Sequence, residues 1–158
     1  GVQTCALPIS IGGNVNHFAS MMNEKARDIG AESTHFVNAN GMPDENHYST
    51  ARDMAKIARY GLRNKEFRQI VSTKSKQVHY ERPNKNLPCT NTNHLLFTYD
   101  GAIGVKTGYT RAAQGCLTAA ATRHGRTLIA VIMHAGWDSR FTEAATLLDY
   151  GFGMETSD

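Results

Sequence analysis

Long hydrophobic runs are missing from this 158-residue chain: the longest aliphatic stretch, Leu128 to Met133, is far too short to cross a bilayer. No excess of one charge sign exists either, since 17 Lys and Arg face 14 Asp and Glu along the whole length. With no basic block and no aromatic-basic stripe, the chain does not read as a nucleic-acid binder. Cysteines are few. Cys5, Cys89 and Cys116 form no C-x-x-C pair, which argues against a structural zinc site and against a disulfide framework. Cys116 is expected as an ordinary buried thiol on a strand. The N-terminus lacks the charged region of a signal peptide, and no internal repeat or low-complexity tract is present.

What remains is the composition of an ordinary globular domain, 41% hydrophobic and 20% charged. Its first nine residues, Gly1 to Ile9, read GVQTCALPI, with no charge and no helical or strand period. The string resembles, letter for letter, the translation of a common short-read sequencing adapter. Residues 1–9 are therefore set aside from fold reasoning as non-native, with Ser10 at the junction, and residues 10–158 are treated as the genuine domain. An adapter at that place implies that upstream coding sequence was cut away.

From there the pattern is regular. His17 to Ile29 carries Phe18, Met21, Met22, Ala26 and Ile29 at helical spacing, with Gly30 as the stop. The Met pair reads as core. Thr34 to Asn38 is a short extended piece, followed by a turn-rich stretch, Asn40-Gly41-Met42-Pro43-Asp44. Thr50-Ala51-Arg52-Asp53 fits a capping box ahead of a helix that buries Met54, Ile57, Ala58 and Leu62. Lys74 to Asn93 is polar and is expected to run over the surface, with Gln77 to Tyr80 read as a short strand. Asn93 caps a brief turn through Leu95, Leu96 and Phe97, and Tyr99-Asp100-Gly101 is a turn signal.

Three strands then follow: Ala102 to Thr110, Gly115 to Thr122 and Thr127 to His134, the last two joined by a tight hairpin at His124-Gly125. The third is apolar on both faces, so it needs helices on both sides. Asp138 or Ser139 caps a final helix whose Phe141, Ala144, Ala145 and Leu148 form a stripe ending at Gly151. The expected fold class is α+β, an antiparallel sheet sandwiched by helices.

One tripeptide on the first of these strands carries chemistry. Lys106-Thr107-Gly108 places an ammonium and a hydroxyl where a carboxylate could be held, beside a glycine that lets a peptide lie close to the strand edge. A P-loop reading of residues 101–107 fails, because Val105 precedes Lys106 and a strand–turn–strand follows. His35, Asp44 and His47 sit in a turn-rich stretch without helical pairing and are read as loop polarity rather than metal ligands. Ser49, beside Thr50, is read as helix capping. No metal and no cofactor is expected.

Context makes the tripeptide specific. K-T-G is one member of the S-x-x-K, S-x-N, K-T-G set of penicillin-binding proteins. The run GAIGVKTGYTRAAQGCLTAAATRHGRTLIAVIMHAG resembles the third to fifth strands of the D-alanyl-D-alanine carboxypeptidases. MMNEKARDIGAESTHFVNANGMPDENHYSTARDMAKIAR and Asn91-Thr92-Asn93 with Leu95-Leu96 resemble the same family, and the likeness covers Ile11 to Met154. It implies a part of the β-lactamase/D,D-peptidase fold. It also implies a serine carboxypeptidase that trims the terminal D-Ala from peptidoglycan stem peptides ending in D-Ala-D-Ala through an acyl-enzyme, with β-lactams as inhibitors.

By position, the resemblance gives Lys106 and Thr107 the terminal carboxylate, Gly108 the close approach, and the backbone N–H of Tyr109 one of two oxyanion donors. No serine here has a lysine three positions on, and no S-x-N or Y-x-N triplet occurs. The nucleophile, its lysine and the second serine are expected upstream, so no catalytic residue is assigned within this chain and no turnover is expected from it alone. A second domain and a membrane anchor, common in relatives, are expected beyond Asp158. The whole protein is expected to be membrane-associated and extracytoplasmic. The alternatives are a non-catalytic peptidoglycan or β-lactam binding module and, less well matched by the THFVNANG and HYSTARDM stretches, a class A β-lactamase.

Overall fold

The computed structural model describes residues 2–82 and 84–154, residues 2–5 by backbone alone. Its elements are α1 (Val2–Gly12), α2 (Val15–Asp28), α3 (Ala51–Gly61), α4 (Lys65–Ser72), β1 (Ser75–Glu81), β2 (Asn84–Thr90), α5 (Leu95–Thr98), β3 (Ala102–Thr110), β4 (Gln114–Arg123), β5 (Arg126–Ala135) and α6 (Ser139–Gly153). Among the described residues, no helix is long and apolar enough to cross a membrane.

Strands β3, β4 and β5 form one antiparallel sheet in that order. The turn between β4 and β5 is made by His124 and Gly125, both at positive φ (51° and 76°), the backbone of a tight hairpin whose twist matches its strands. Helix α6 lies against one face of the sheet, and α3 and α4 lie against the other. Leu95, Leu117, Ala119, Ala130, Phe141, Ala144 and Leu148 make the larger core, and Leu62, Val105 and Ala120 a smaller one. Leu117 and Leu148 are each only 1% exposed, and such burial contributes about 2–3 kcal/mol per side chain. The expected sandwich is present, because small alanines along β4 let helices approach from both sides.

Several local expectations need correction. Helix α2 buries Ala19, Asn23 and Ala26, while Met21 is 37% exposed and Met22 half-buried. A polar residue thus occupies the face read as an apolar stripe. Asn23 donates to the Phe36 carbonyl at 2.8 Å and accepts from the Phe36 N–H at 2.7 Å, clamping the extended piece to the helix. Thr50 is the N-cap of α3, accepting from the Asp53 N–H, but Asp53 does not close a capping box. Its buried carboxylate accepts from the Ser33 N–H at 2.7 Å and the Thr34 hydroxyl at 3.0 Å. Burial pulls its pKa upward, but those bonds and the Lys56 ammonium outweigh it and hold the carboxyl below its ordinary value. Ser49 is not part of the cap; its hydroxyl lies 2.9 Å from that of Thr34.

Helix α4, capped by Asn64, was not anticipated. The single short strand read in the polar segment is one arm of a two-stranded ribbon, β1 with β2. Cys116 is half-buried rather than buried. Helix α6 begins where expected but without a side-chain cap, and it continues past Gly151 to Gly153. Helix α1 (Val2–Gly12) takes in most of the stretch 1–9 read as patternless, and it contacts α2. Leu7 and Ile9 on it remain 64% and 49% exposed.

Candidate functional site

The K-T-G tripeptide lies in the C-terminal half of β3, a strand with a single sheet neighbour among the described residues. Val105 is buried against Leu62 and Ala120, and the following lysine turns outward. Lys106 is exposed, and its Nζ donates to the carbonyl of Thr107. No carboxylate of the described residues pairs with it. Thr107 is half-buried, and its hydroxyl lies 2.6 Å from that of Thr92. Thr92 stands in the Asn91–Asn93 loop. That loop is held by Asn91, whose side chain donates to the Thr73 carbonyl at 3.0 Å, and by Asn93, whose Oδ1 accepts from the Leu95 N–H.

Gly108 is exposed, and a Cβ there would meet only the Cys116 Cβ at 3.9 Å, an ordinary contact. The fold itself therefore does not demand glycine at this position. Its missing side chain instead leaves the strand open to something approaching from outside. Tyr109 follows, 49% exposed, with its ring edge-to-face against Trp137 at 4.9 Å.

One residue of this region was missed from the sequence. Arg140, in the first turn of α6, is 4% exposed, and its Nε and Nη1 have no hydrogen-bond partner among the described residues. It sits beside Gly115, the cross-strand partner of Tyr109, where a Cβ would come 3.2 Å from Nη1 and 2.6 Å from the Gly136 carbonyl. An unpaired buried guanidinium is costly and invites an anion. Sequence alone held only a weak signal for it, an arginine flanked by Ser139 and Phe141 at a helix start.

The residues considered for metal binding are engaged within their own loop. His35 Nδ1 lies 2.6 Å from the Asn46 carbonyl, His47 Nδ1 accepts from the Val37 N–H, and Asp44 accepts from the Asn46 N–H. Burial lowers the His47 pKa against the opposing pull of Asp44. A separate concave surface, between α3 and β5, is lined by Arg52, Lys56, Arg59 and Arg63 over Leu128 and Ile129. It holds none of the K-T-G residues.

The antiparallel sheet between helices is shared with solved D,D-peptidase structures. The crystal structure of the Streptomyces K15 DD-transpeptidase superposes with a TM-score of 0.82 at 36% identity, over 87% of this chain and 55% of that one. The crystal structure of a D-alanyl-D-alanine carboxypeptidase from Mycobacterium tuberculosis H37Rv gives a TM-score of 0.85 at 33% identity, over 94% and 58%.

The chain belongs to the D-alanyl-D-alanine carboxypeptidase family, peptidase S11, whose pattern matches residues 3–136. Among curated relatives it is 36% identical to D-alanyl-D-alanine carboxypeptidase DacF of Bacillus subtilis, over 91% of this chain and 37% of that protein. It is also 36% identical to the D-alanyl-D-alanine carboxypeptidase of Streptomyces sp. K15, over 89% and 50%. The chain thus spans half or less of the length of these relatives.

Proposed function

We propose that this chain is the carboxylate-recognising part of a serine-type D-Ala-D-Ala carboxypeptidase acting on peptidoglycan stem peptides. The observation that carries the reading is the exposed edge of β3, where Lys106 has no acidic partner among the described residues and Gly108 leaves the strand bare. A stem peptide lies along this edge as an added strand. Lys106, the Thr107 hydroxyl and the Arg140 guanidinium take its terminal carboxylate, and the Tyr109 N–H donates to the carbonyl oxygen as it becomes an oxyanion. The serine that attacks that carbonyl belongs to a motif this sequence does not contain. It forms the acyl-enzyme, D-Ala leaves, and water hydrolyses the ester. β-Lactams acylate the same serine, and the enzyme works outside the cytoplasmic membrane, where its peptide substrate is found.

The test compares Lys106→Ala with Lys106→Arg in a chain that also carries the S-x-x-K and S-x-N motifs. Substrates are a peptide ending in D-Ala-D-Ala and the same peptide amidated at its C-terminus. Loss of one anchor in a preorganised site should cost about 2–4 kcal/mol of transition-state stabilisation on the free acid, and little on the amide. Folding should be unaffected, because Lys106 is exposed. Equal losses on both peptides would move Lys106 from carboxylate recognition to proton transfer.

A further inference from the structure

The ribbon of β1 and β2 stands apart from both cores. Its strands pack chiefly on each other, and Val78 alone of their residues is partly buried. A two-stranded ribbon with no core behind it is only marginally stable, so the fold gains little from the apolar residues it carries. They are nonetheless sorted. The register sets Lys76 opposite Cys89, Val78 opposite Leu87 and Tyr80 opposite Lys85. Side chains alternate along a strand, so these six share one face, with Tyr80 38% and Leu87 39% exposed. The other face is largely polar, and on it His79 Nδ1 lies 2.9 Å from Asn86 Oδ1.

Charge follows the same division. Lys76 and Lys85 flank the apolar strip, while Glu81, the one acid of the two strands, lies on the opposite face. Among the described residues neither lysine enters an ion pair. Lysines that only deter edge pairing do not call for an exposed strip of Tyr80, Val78 and Leu87 between them. The ribbon is also rooted at the site. The Asn91 N–H donates to the Lys74 carbonyl at 2.8 Å, and the next residue, Thr92, holds the Thr107 hydroxyl. Seven residues per strand make an arm of about 20 Å that starts beside the K-T-G strand.

We propose that this face of the ribbon is a second binding surface for the peptidoglycan polymer, holding neighbouring stem peptides while one of them lies on β3. This rests on the reading of β3 as the stem-peptide edge. Stem peptides carry free carboxylates and alanine methyl groups, and the sugars that bear them have apolar ring faces. Lys76 and Lys85 meet the carboxylates, and Tyr80, Val78 and Leu87 meet the apolar surface. Each contact is weak and screened by salt, but two attachments to one polymer raise the effective concentration of the second. The ribbon thus favours polymeric wall over free peptide.

The experiment uses the chain itself and purified peptidoglycan stripped of phosphate-bearing polymers, by co-sedimentation against a blank without wall. Calorimetry with N-acetyl-D-Ala-D-Ala reads the β3 edge alone, and thermal melting reads folding. Lys76→Gln combined with Lys85→Gln should weaken wall binding about tenfold, and Tyr80→Ala about fivefold. Neither should change dipeptide affinity or the melting temperature. On wall whose carboxylates have been amidated, the gap between wild type and the lysine variant should close. Equal wall binding by wild type and both variants would overturn the proposal and leave the lysines as guards of an open edge. A gap that persists on amidated wall would overturn it too. So would tighter binding to phosphatidylglycerol vesicles or to unstripped wall, which would make the occupant a phosphate-bearing one. If wild type ignores the dipeptide while the ribbon variants still lose the wall, the β3 reading fails and the ribbon surface stands.

Discussion

The hydroxyl oxygens of Thr92 and Thr107 lie 2.6 Å apart, latching the loop before α5 to the K-T-G strand. One hydroxyl hydrogen bond orients another, so Thr92 decides where the Thr107 hydroxyl points. Thr92→Val keeps the shape but removes the partner and should weaken binding of a D-Ala-D-Ala acid about fivefold, the equivalent of about 1 kcal/mol. Thr92→Ser should restore it. Unchanged affinity in Thr92→Val would show that Thr107 orients itself without the loop.

The 158-residue polypeptide should acquire no covalent label from a fluorescent penicillin, because no serine in it has a lysine three positions on. Gel fluorescence after denaturation is the measurement. Stoichiometric labelling that survives would place the nucleophile within this sequence.

Among the described residues, β5 has β4 as its single neighbour, and Leu128, Ile129, Val131 and Met133 are at most partly covered. An apolar open edge templates pairing with other chains. The polypeptide should therefore aggregate as its concentration rises. Met133→Lys, at a position already 42% exposed, should raise the soluble fraction without lowering the melting temperature. Light scattering that is identical for both proteins would remove the edge as the cause.

Tyr99 ties the turn between α5 and β3 to α6: its hydroxyl donates to Asp149 at 2.6 Å, and the Arg123 guanidinium carbon lies 4.4 Å from its ring centre. Burial, then the Asp149 carboxylate, push the phenol up to about 12, against the opposing pull of Arg123. The folded state therefore keeps this proton more tightly than the unfolded chain, whose phenol titrates near 10.0. That stabilisation is fully present below pH 10.0 and is lost as pH rises toward about 12. Tyr99→Phe should cost about 1 kcal/mol at neutral pH, and the gap between the two melting curves should close above pH 10.0. A gap that stays constant to the highest pH would assign the loss to packing.

Much of this was readable from the chain. β3 spans Ala102–Thr110, the bounds read from the sequence after the Tyr99-Asp100-Gly101 turn, and the hairpin at His124-Gly125 follows from two adjacent residues. K-T-G stood out because three small chemical requirements coincide in adjacent positions. The missed α4 shows the limit of such reading. Asn64 caps a helix whose Phe67, Ile70 and Val71 do fall at helical spacing, but it runs for only eight residues and none of them is fully buried, so the period is too short to stand out from the polar stretch that follows.

Local chemistry, then, determined the elements and the carboxylate-type tripeptide, since turns, caps and strand alternation depend on neighbours in sequence. Tertiary structure alone decided the partners of the polar groups. Asp53 reads as a capping-box residue and Asn23 carries no signal of its own, yet both are buried because loops 13 and 20 residues distant fold onto them. Arg140 is the extreme case. Its guanidinium lies beside the rings of Phe141 in α6 and Trp137 between β5 and α6, and its Nε and Nη1 find no acceptor among the described residues. Whether a cation meets water, a carboxylate or only aromatic faces is set by elements far apart in the chain, and no pattern around residue 140 could contain it.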